Sequence, residues 1–266
     1  MRWFWVKKFG GSENVPHNSS WAGRILGDGI VIALLVAWYL AALRTPEYVL
    51  PNPTDTLAMT LRLFVDPALA THTYLSLARV LAAVILALVI GAALVTVSHI
   101  FPVTRLLIAG RLTPFLNAFP TLGWAMMAIF WFGISTVSVI FVEVAILLPF
   151  CIINLSTGVR NLDYETLEMG MSFTRSRTRL LKSIVIPLLF PYILAAVRVC
   201  YGVAWKVALI AELFGARGGL GYLLNVGRSQ FDSVTIFAAV VAIVILVFIV
   251  DRLILQPMER YASRYR

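Results

Sequence analysis

Charge is what this chain has least of. Of its 266 residues, 13% are Asp, Glu, Lys or Arg, while 60% are hydrophobic. Soluble domains carry about a quarter charged residues, so the expected solvent is lipid. Acids are scarcer than bases, 13 against 22, which leaves a formal net charge of +9. Membrane proteins gather such an excess on the cytoplasmic side, and no nucleic-acid partner is expected. Cysteine is nearly absent. Cys151 and Cys200 both lie in apolar stretches, which excludes a disulfide framework or a metal-binding spacing. His17, His72 and His99 are scattered, so no metal site or histidine catalysis is expected. The chain has no Gly-x-x-x-x-Gly-Lys-Ser/Thr loop, no His-Glu-x-x-His and no Gly-x-Ser-x-Gly. It therefore has no phosphate cradle or hydrolytic nucleophile of those kinds, and no catalytic residue is expected. The run "GARGGLG" at 215–221 lacks dinucleotide-loop spacing and reads as an outer turn or short re-entrant segment. Alternation of period two is missing, which argues against a β-barrel.

What is present is a series of long apolar runs. Six candidate spans fall at about 25–43, 77–99, 106–133, 135–155, 187–211 and 233–251. Each approaches the roughly 20 residues that a helix needs to cross about 30 Å of hydrocarbon. Lipid offers backbone groups no water partner, so all six are expected to be helices, giving an all-α polytopic protein. The third contains Pro114, Pro120 and Gly123, the fourth Glu143 and Pro149. The first is expected to be an uncleaved span preceded by a cytoplasmic segment, residues 1–24, in which Trp3, Phe4 and Trp5 beside Lys7 and Lys8 suit an interfacial anchor. With both termini inside, only Arg44, Arg62, Arg217 and Arg228 fall on outer segments. The positive-inside bias favours that orientation over its inverse.

One inner segment is unlike the rest. "EMGMSFTRSRTRLLKSIVIP", residues 168–187, carries Arg175, Arg177, Arg179 and Lys182 between the fourth and fifth spans. On a helix, Arg175, Arg179 and Lys182 share one face, while Phe173, Leu180 and Ile184 share the other. Tyr164, Leu167 and Met171 line one side of the preceding stretch, with Glu165 and Glu168 early in it. The expectation is a short helix, a turn, and an amphipathic helix entering the next span at Pro187, where a missing N–H costs nothing. Such a segment either rests on anionic headgroups or docks a cytoplasmic partner.

The spacing resembles the cytoplasmic "EAA" loop of permease subunits in ATP-binding-cassette importers: Glu-Ala-Ala, three residues, Gly, nine residues, Ile-x-Leu-Pro. Here it reads Glu168-Met169-Gly170, three residues, Thr174, nine residues, Ile184-Val185-Ile186-Pro187. Met-Gly replaces Ala-Ala, and Thr174 replaces the glycine that marks the turn. The stretch from "IVIPLLFPYILAAVRV" through "GARGGLGYLL", with "LPNPTDTL" and the basic end "RYASRYR", is similar to the nitrate/sulfonate/taurine/bicarbonate branch of that family. The resemblance implies a type I importer permease architecture over residues 25–266, with a coupling loop at about 157–186. It implies a homodimer set on two ATPase subunits, which bind the ATP and magnesium, with no cofactor on this chain. A periplasmic or lipid-anchored binding protein would deliver a small, mainly anionic solute such as a sulfonate, taurine, nitrate or bicarbonate. The setting is a bacterial inner membrane. Carried onto this sequence, the coupling loop comprises Asp163, Tyr164, Glu165, Leu167, Glu168, Met169, Gly170, Met171, Phe173, Thr174, Ile184 and Pro187.

Charges within the spans are costly in lipid and usually face a bundle interior or an aqueous path. Arg198 and Lys206, in the fifth span, would either help an anion through or pair with Glu143 or Glu212; pairing is preferred, because acids lie in the same protein. Pro120, Trp124 and Met127, in the broken third span, suit a gate. The competing function is a secondary transporter driven by an ion gradient through Glu143, and a third reading is a membrane scaffold without transport. The loop spacing favours the importer permease.

Overall fold

The computed structural model describes residues 21–174 and 176–262. The N-terminal aromatic and lysine cluster, Arg175 and the last four residues lie outside that range. Residues 1–53 and 54–266 form two separate units. In the first, helix α1 spans Trp21–Ala42. Its chain then turns back on itself, and the Trp38 indole N–H donates to the Pro51 carbonyl at 3.1 Å. The first expected span is present here as a helix, with exposed Ile30, Leu34 and Leu40 along it.

The second unit is built from helices alone among the described residues: α2 (Pro53–Val65), α3 (Pro67–Ile100), α4 (Pro102–Ala118), α5 (Thr121–Phe132), α6 (Thr136–Arg160), α7 (Tyr164–Phe173), α8 (Thr178–Gly215), α9 (Leu220–Gln230) and α10 (Ser233–Met258). Among the described residues, α3, α6, α8 and α10 are long and apolar enough to cross a membrane, and the bent pair α4–α5 makes a fifth if it is one span. Together with α1, this fits the expected set of about six. Two helices went unanticipated. In α2, Thr56, Thr60 and Leu63 are buried, and the amphipathic pattern was hidden by its polar threonines. In α9, the helix starts within the glycine-rich run, at Leu220.

Helix α3 is longer than the uncharged run that marked it. At 34 residues it extends roughly 50 Å, more than the hydrocarbon thickness. It starts at Asp66, whose carboxylate accepts from the Ala68 N–H at 3.0 Å, ahead of Pro67 in the first turn. One face is small and buried (Ala83, Ala87, Gly91), and the other is large and exposed (Ile85, Val89). A Cβ at Gly91 would stand 2.9 Å from that of Cys151 on α6, so the glycine sets how closely α3 and α6 approach. Helices without a hydrophobic drive between them pack through such small residues. The two thiols, Cys151 on α6 and Cys200 on α8, face each other in this core with sulfurs 3.2 Å apart and are not bonded.

Three prolines explain three irregular turns. At Ile108–Leu112, Leu181–Val185 and Asp251–Leu255 the helix widens to a π-type turn. In each case the closing bond reaches back five residues: Thr113 to Ile108, Ile186 to Leu181, Gln256 to Asp251. The residue after each closing amide is a proline, at Pro114, Pro187 and Pro257. A proline ring has no N–H and crowds the carbonyl four residues back, and widening the turn relieves both effects. Pro187 therefore lies inside one continuous helix, α8, instead of opening a new one, and the first-turn argument made for it does not hold.

Candidate functional site: the loop helix and the charges within the bundle

Helix α7 is short and begins at Asp163, which has extended backbone angles. The Asp163 carboxylate accepts from the Thr166 hydroxyl at 2.6 Å and the Glu165 N–H at 3.1 Å. The Thr166 bond, followed by those from the Glu165 and Thr166 backbone, holds the carboxyl below the ordinary aspartate range. With Glu165 and Glu168 in the first turns, negative charge collects at the positive end of the helix dipole.

Gly170 joins the two halves of the motif. It is buried, and a side chain there would run into the Ile184 side chain and approach Leu180 Cδ1 to 2.8 Å. Both contacts are on α8, so α7 sits on the beginning of the next span through a residue that has to be small. What Gly170 supplies is room for these two side chains. Thr174 needs no glycine conformation either: its φ is −149° and ψ is 131°, extended backbone open to any residue. Its hydroxyl accepts from the Ser176 N–H at 3.2 Å, and the Ser176 hydroxyl in turn accepts from the Arg179 N–H at 3.4 Å. A side-chain turn thus takes the place of a glycine turn. Further down, Gly158 at the end of α6 lies against the Tyr192 ring, and Asn161 Nδ2 donates to the Tyr192 hydroxyl at 3.3 Å. Both stems of the loop are therefore fixed to α8.

The outward side of α7 is free of the bundle. Met169, Met171 and Phe173 are exposed, Phe173 by 83%, and Glu165 and Glu168 are exposed beside them. Leu167 is half-buried; the Tyr164 side chain lies outside the described part. Arg179 and Lys182 are exposed. Phe173 does not join Leu180 and Ile184 on the packed face, because the helix ends at Thr174 and the phase is broken there.

The charges within the bundle sort into two sets. Glu212 pairs with Arg79 at 2.8 Å, both buried, and not with Arg198 or Lys206. Glu212 also accepts from Ser76 at 2.6 Å and from the Gly221 N–H at 3.0 Å. Arg79 donates further to the Gly218 carbonyl at 2.6 Å and to the Thr136 hydroxyl at 2.9 Å. The Leu220 N–H donates to Ser76, and the Gly219 N–H to His72 Nδ1 at 3.1 Å. The glycine-rich run is thus a lid on a buried ion pair. Gly219 has a φ of +123°, and a side chain there would collide with the Glu212 carboxylate, so both space and conformation require glycine. Arg79, Ser76 and His72 were not singled out as its partners. The signal was faint: one cation in an otherwise uncharged span, and one acid just ahead of a glycine run.

Arg198 and Lys206 lie on the exposed side of α8. Arg198 reaches Asp251 on α10 at 3.4 Å. Lys206 is exposed and makes no ion pair among the described residues. Glu143 is fully buried, and neither carboxylate oxygen has a hydrogen-bond partner.

Between α4 and α5 the chain bends by 90° at Phe119 and Pro120. Gly123 leaves room for the Phe119 ring, which packs on Trp124 with centroids 4.7 Å apart. Trp124 also meets Phe141 edge-on at 5.8 Å. Trp124 is buried, Met127 half-buried and Pro120 exposed.

A bundle of membrane-spanning helices, with a short helix outside it packed on one of the spans, defines a polytopic membrane protein. The chain belongs to the family of binding-protein-dependent transport system inner membrane components, which it matches over residues 101–256. It is similar to the taurine transport system permease protein of Escherichia coli (strain K12), 27% identical over 85% of this chain and 84% of the relative. It is also similar to a probable ABC transporter permease protein of Brucella abortus (strain 2308), 28% identical over 86% and 90%. A putative aliphatic sulfonates transport permease protein of Bacillus subtilis (strain 168) is 24% identical over 82% and 78%. The chain is the non-catalytic, multi-pass inner-membrane permease component of an ABC importer, in which a partner ATPase hydrolyses ATP. The ion-gradient alternative is not favoured.

Proposed function

We propose that two copies of this chain form the pathway for a small organic anion carrying a sulfonate group, and that α7 delivers the ATPase stroke to α8. The observation that carries the coupling half is the seat of Gly170 on Ile184 and Leu180 beneath an exposed face of Met169, Met171 and Phe173. A force applied to that face moves α8 as a lever, because both stems of the loop are packed on it. In this reading α7 faces the cytoplasm with both termini, two ATPase subunits hold the nucleotide and magnesium, and a binding protein meets the opposite face. Switching is rigid-body rearrangement of packed helices.

The pathway half rests on the exposed stripe of α8. Arg198, Gly202 and Lys206 recur every four residues on one side. Lys206 and Gly202 open on a groove of about 410 Å³ that runs between α8 and α10 to Asp251. A lysine facing hydrocarbon would be costly, so this side faces water or a second copy of the chain. Lys206 is the one cation lining this mostly apolar groove, whose acid, Asp251, is paired with Arg198; a sulfonate suits that lysine, and the taurine and aliphatic-sulfonate relatives agree with that ligand class. The test is ATP-driven uptake of taurine and alkanesulfonates by proteoliposomes holding the complete importer. Lys206→Met is expected to lower uptake about tenfold with assembly intact, as loss of one charge-assisted contact to the anion would. Unchanged uptake would remove Lys206 from the pathway.

A further inference from the structure

The end of the bundle that carries the loop contains a second cationic feature, distinct from α7 and from the α8 groove. A cavity of about 230 Å³ opens between the ends of α3, α4 and α6, lined by Ser98, His99, Arg105, Ser156 and Arg160 over an apolar floor that includes Ile108. No carboxylate lines it, and residues 67–142 contain no Asp or Glu at all. Neither arginine is in an ion pair among the described residues. Arg160 donates through Nε to the Ser156 carbonyl at 3.3 Å, which leaves its two terminal nitrogens for another acceptor.

We infer that this cavity is a binding site for a phosphate-bearing anion. Two guanidinium groups and the Ser156 hydroxyl around a concave wall supply forked donors and no competing negative charge, the donor set that oxyanions take, while the Ser98 hydroxyl donates to the Val95 carbonyl at 2.8 Å. The volume exceeds that of a phosphate group and has room for the start of an ester. Ile100, Phe101, Val103 and Leu106, which alternate in sequence with the lining residues His99, Pro102 and Arg105, are exposed, as a surface that meets acyl chains would be. Basic pockets between membrane helices on the cytoplasmic side hold phospholipid headgroups in this manner. Arg160 is the last residue of α6, directly ahead of the segment that leads to Asp163 and α7. An occupant held by Arg105 and Arg160 ties α4 to the root of the coupling loop.

The phosphate can belong to a membrane lipid or be free in the cytoplasm, and one experiment separates the two. The full chain is purified in its importer complex, delipidated, and offered phosphatidylglycerol, phosphatidylcholine or millimolar inorganic phosphate. Retained lipid is counted by native mass spectrometry, and thermal stability is read alongside. The expected result is retention of phosphatidylglycerol over phosphatidylcholine, reduced about tenfold by Arg105→Ala with Arg160→Ala and unchanged by Arg111→Ala on the same helix. Arg105→Lys with Arg160→Lys keeps the charge and is expected to keep part of the binding, which distinguishes a lost ligand from a damaged fold. Stabilisation by inorganic phosphate without lipid, abolished in the double alanine variant, would assign the site to a free oxyanion. Equal retention of both lipids, together with no response to phosphate, would overturn the proposal.

Discussion

At the scale of single residues, three positions carry more of the fold than their type suggests. Glu212 is held by Arg79, Ser76 and the Gly221 amide in a water-poor interior. Taking one partner from a buried ion pair leaves an uncompensated charge and costs about 3–5 kcal/mol. Arg79→Met is therefore expected to lower the unfolding temperature in detergent sharply. Arg79→Met combined with Glu212→Met should recover much of that loss, since an apolar pair has nothing unsatisfied. A double variant no more stable than the single one would show that the pair is not the unit. Gly219→Ala should be damaging for a separate reason, because it fills the space of the Glu212 carboxylate at a φ of +123°. Thr174 presents the opposite case. Its backbone is extended and its hydroxyl is engaged, so Thr174→Gly, which restores the family residue, is expected to lose stability by about 1 kcal/mol. None of these environments could be read from residue type. Glu212 and Arg79 are 133 positions apart, and only the fold brings them together.

At the scale of elements, the loop helix was legible because its signals are local. Asp163 ahead of an acidic first turn, the motif spacing and the return to apolar residues all lie within one short stretch. What was not legible was how the stretch is mounted. That depends on Gly170 against Ile184 and on Gly158 against Tyr192, contacts between segments separated by a turn or by a whole loop. The element-level prediction is that Gly170→Val lifts α7 from α8. It should leave the bundle folded while reducing transport per ATP hydrolysed by about tenfold or more, as a misplaced lever would. Normal coupling would mean that the seat is not used. The cap gives a pH test. Asp163 is depressed in the folded chain by its bond from Thr166, so its contribution is complete above the unfolded aspartate value, near 3.9. It is lost as pH falls through the lower folded value. Amide exchange in α7 should therefore be steady from neutral pH to about pH 5 once corrected for intrinsic rates, and Asp163→Ala should raise it at all those pH values. The same reasoning explains the bent and widened helices. The prolines showed where the helices would be disturbed, but Pro187 widens a continuous helix while Pro120 stands at a 90° corner. The difference lies in what packs around each.

At the scale of the whole molecule, composition alone gave the class: a chain this apolar and this poor in acids is a bundle of membrane helices. The structure adds a division of faces. The buried side of α8 is locked to α3 through Arg79 and Glu212, and the exposed side carries Arg198, Gly202 and Lys206. One face therefore holds the helix in place while the other is available to a solute or a second copy. The small-residue seam at Ala83, Ala87 and Gly91 lets α3 pack closely on its neighbours, so that they form one tightly packed piece. The central claim is that this piece is driven through α7 by a separate ATPase. The most direct measurement is gentle purification of the importer from its own membrane, with the wild-type chain and the Glu168→Arg variant side by side, quantifying the ATPase that comes with each. The account predicts stoichiometric ATPase with the wild type and loss of most of it with the variant, while the permease itself remains folded. Equal ATPase recovery with unimpaired ATP-driven uptake in the variant would contradict it.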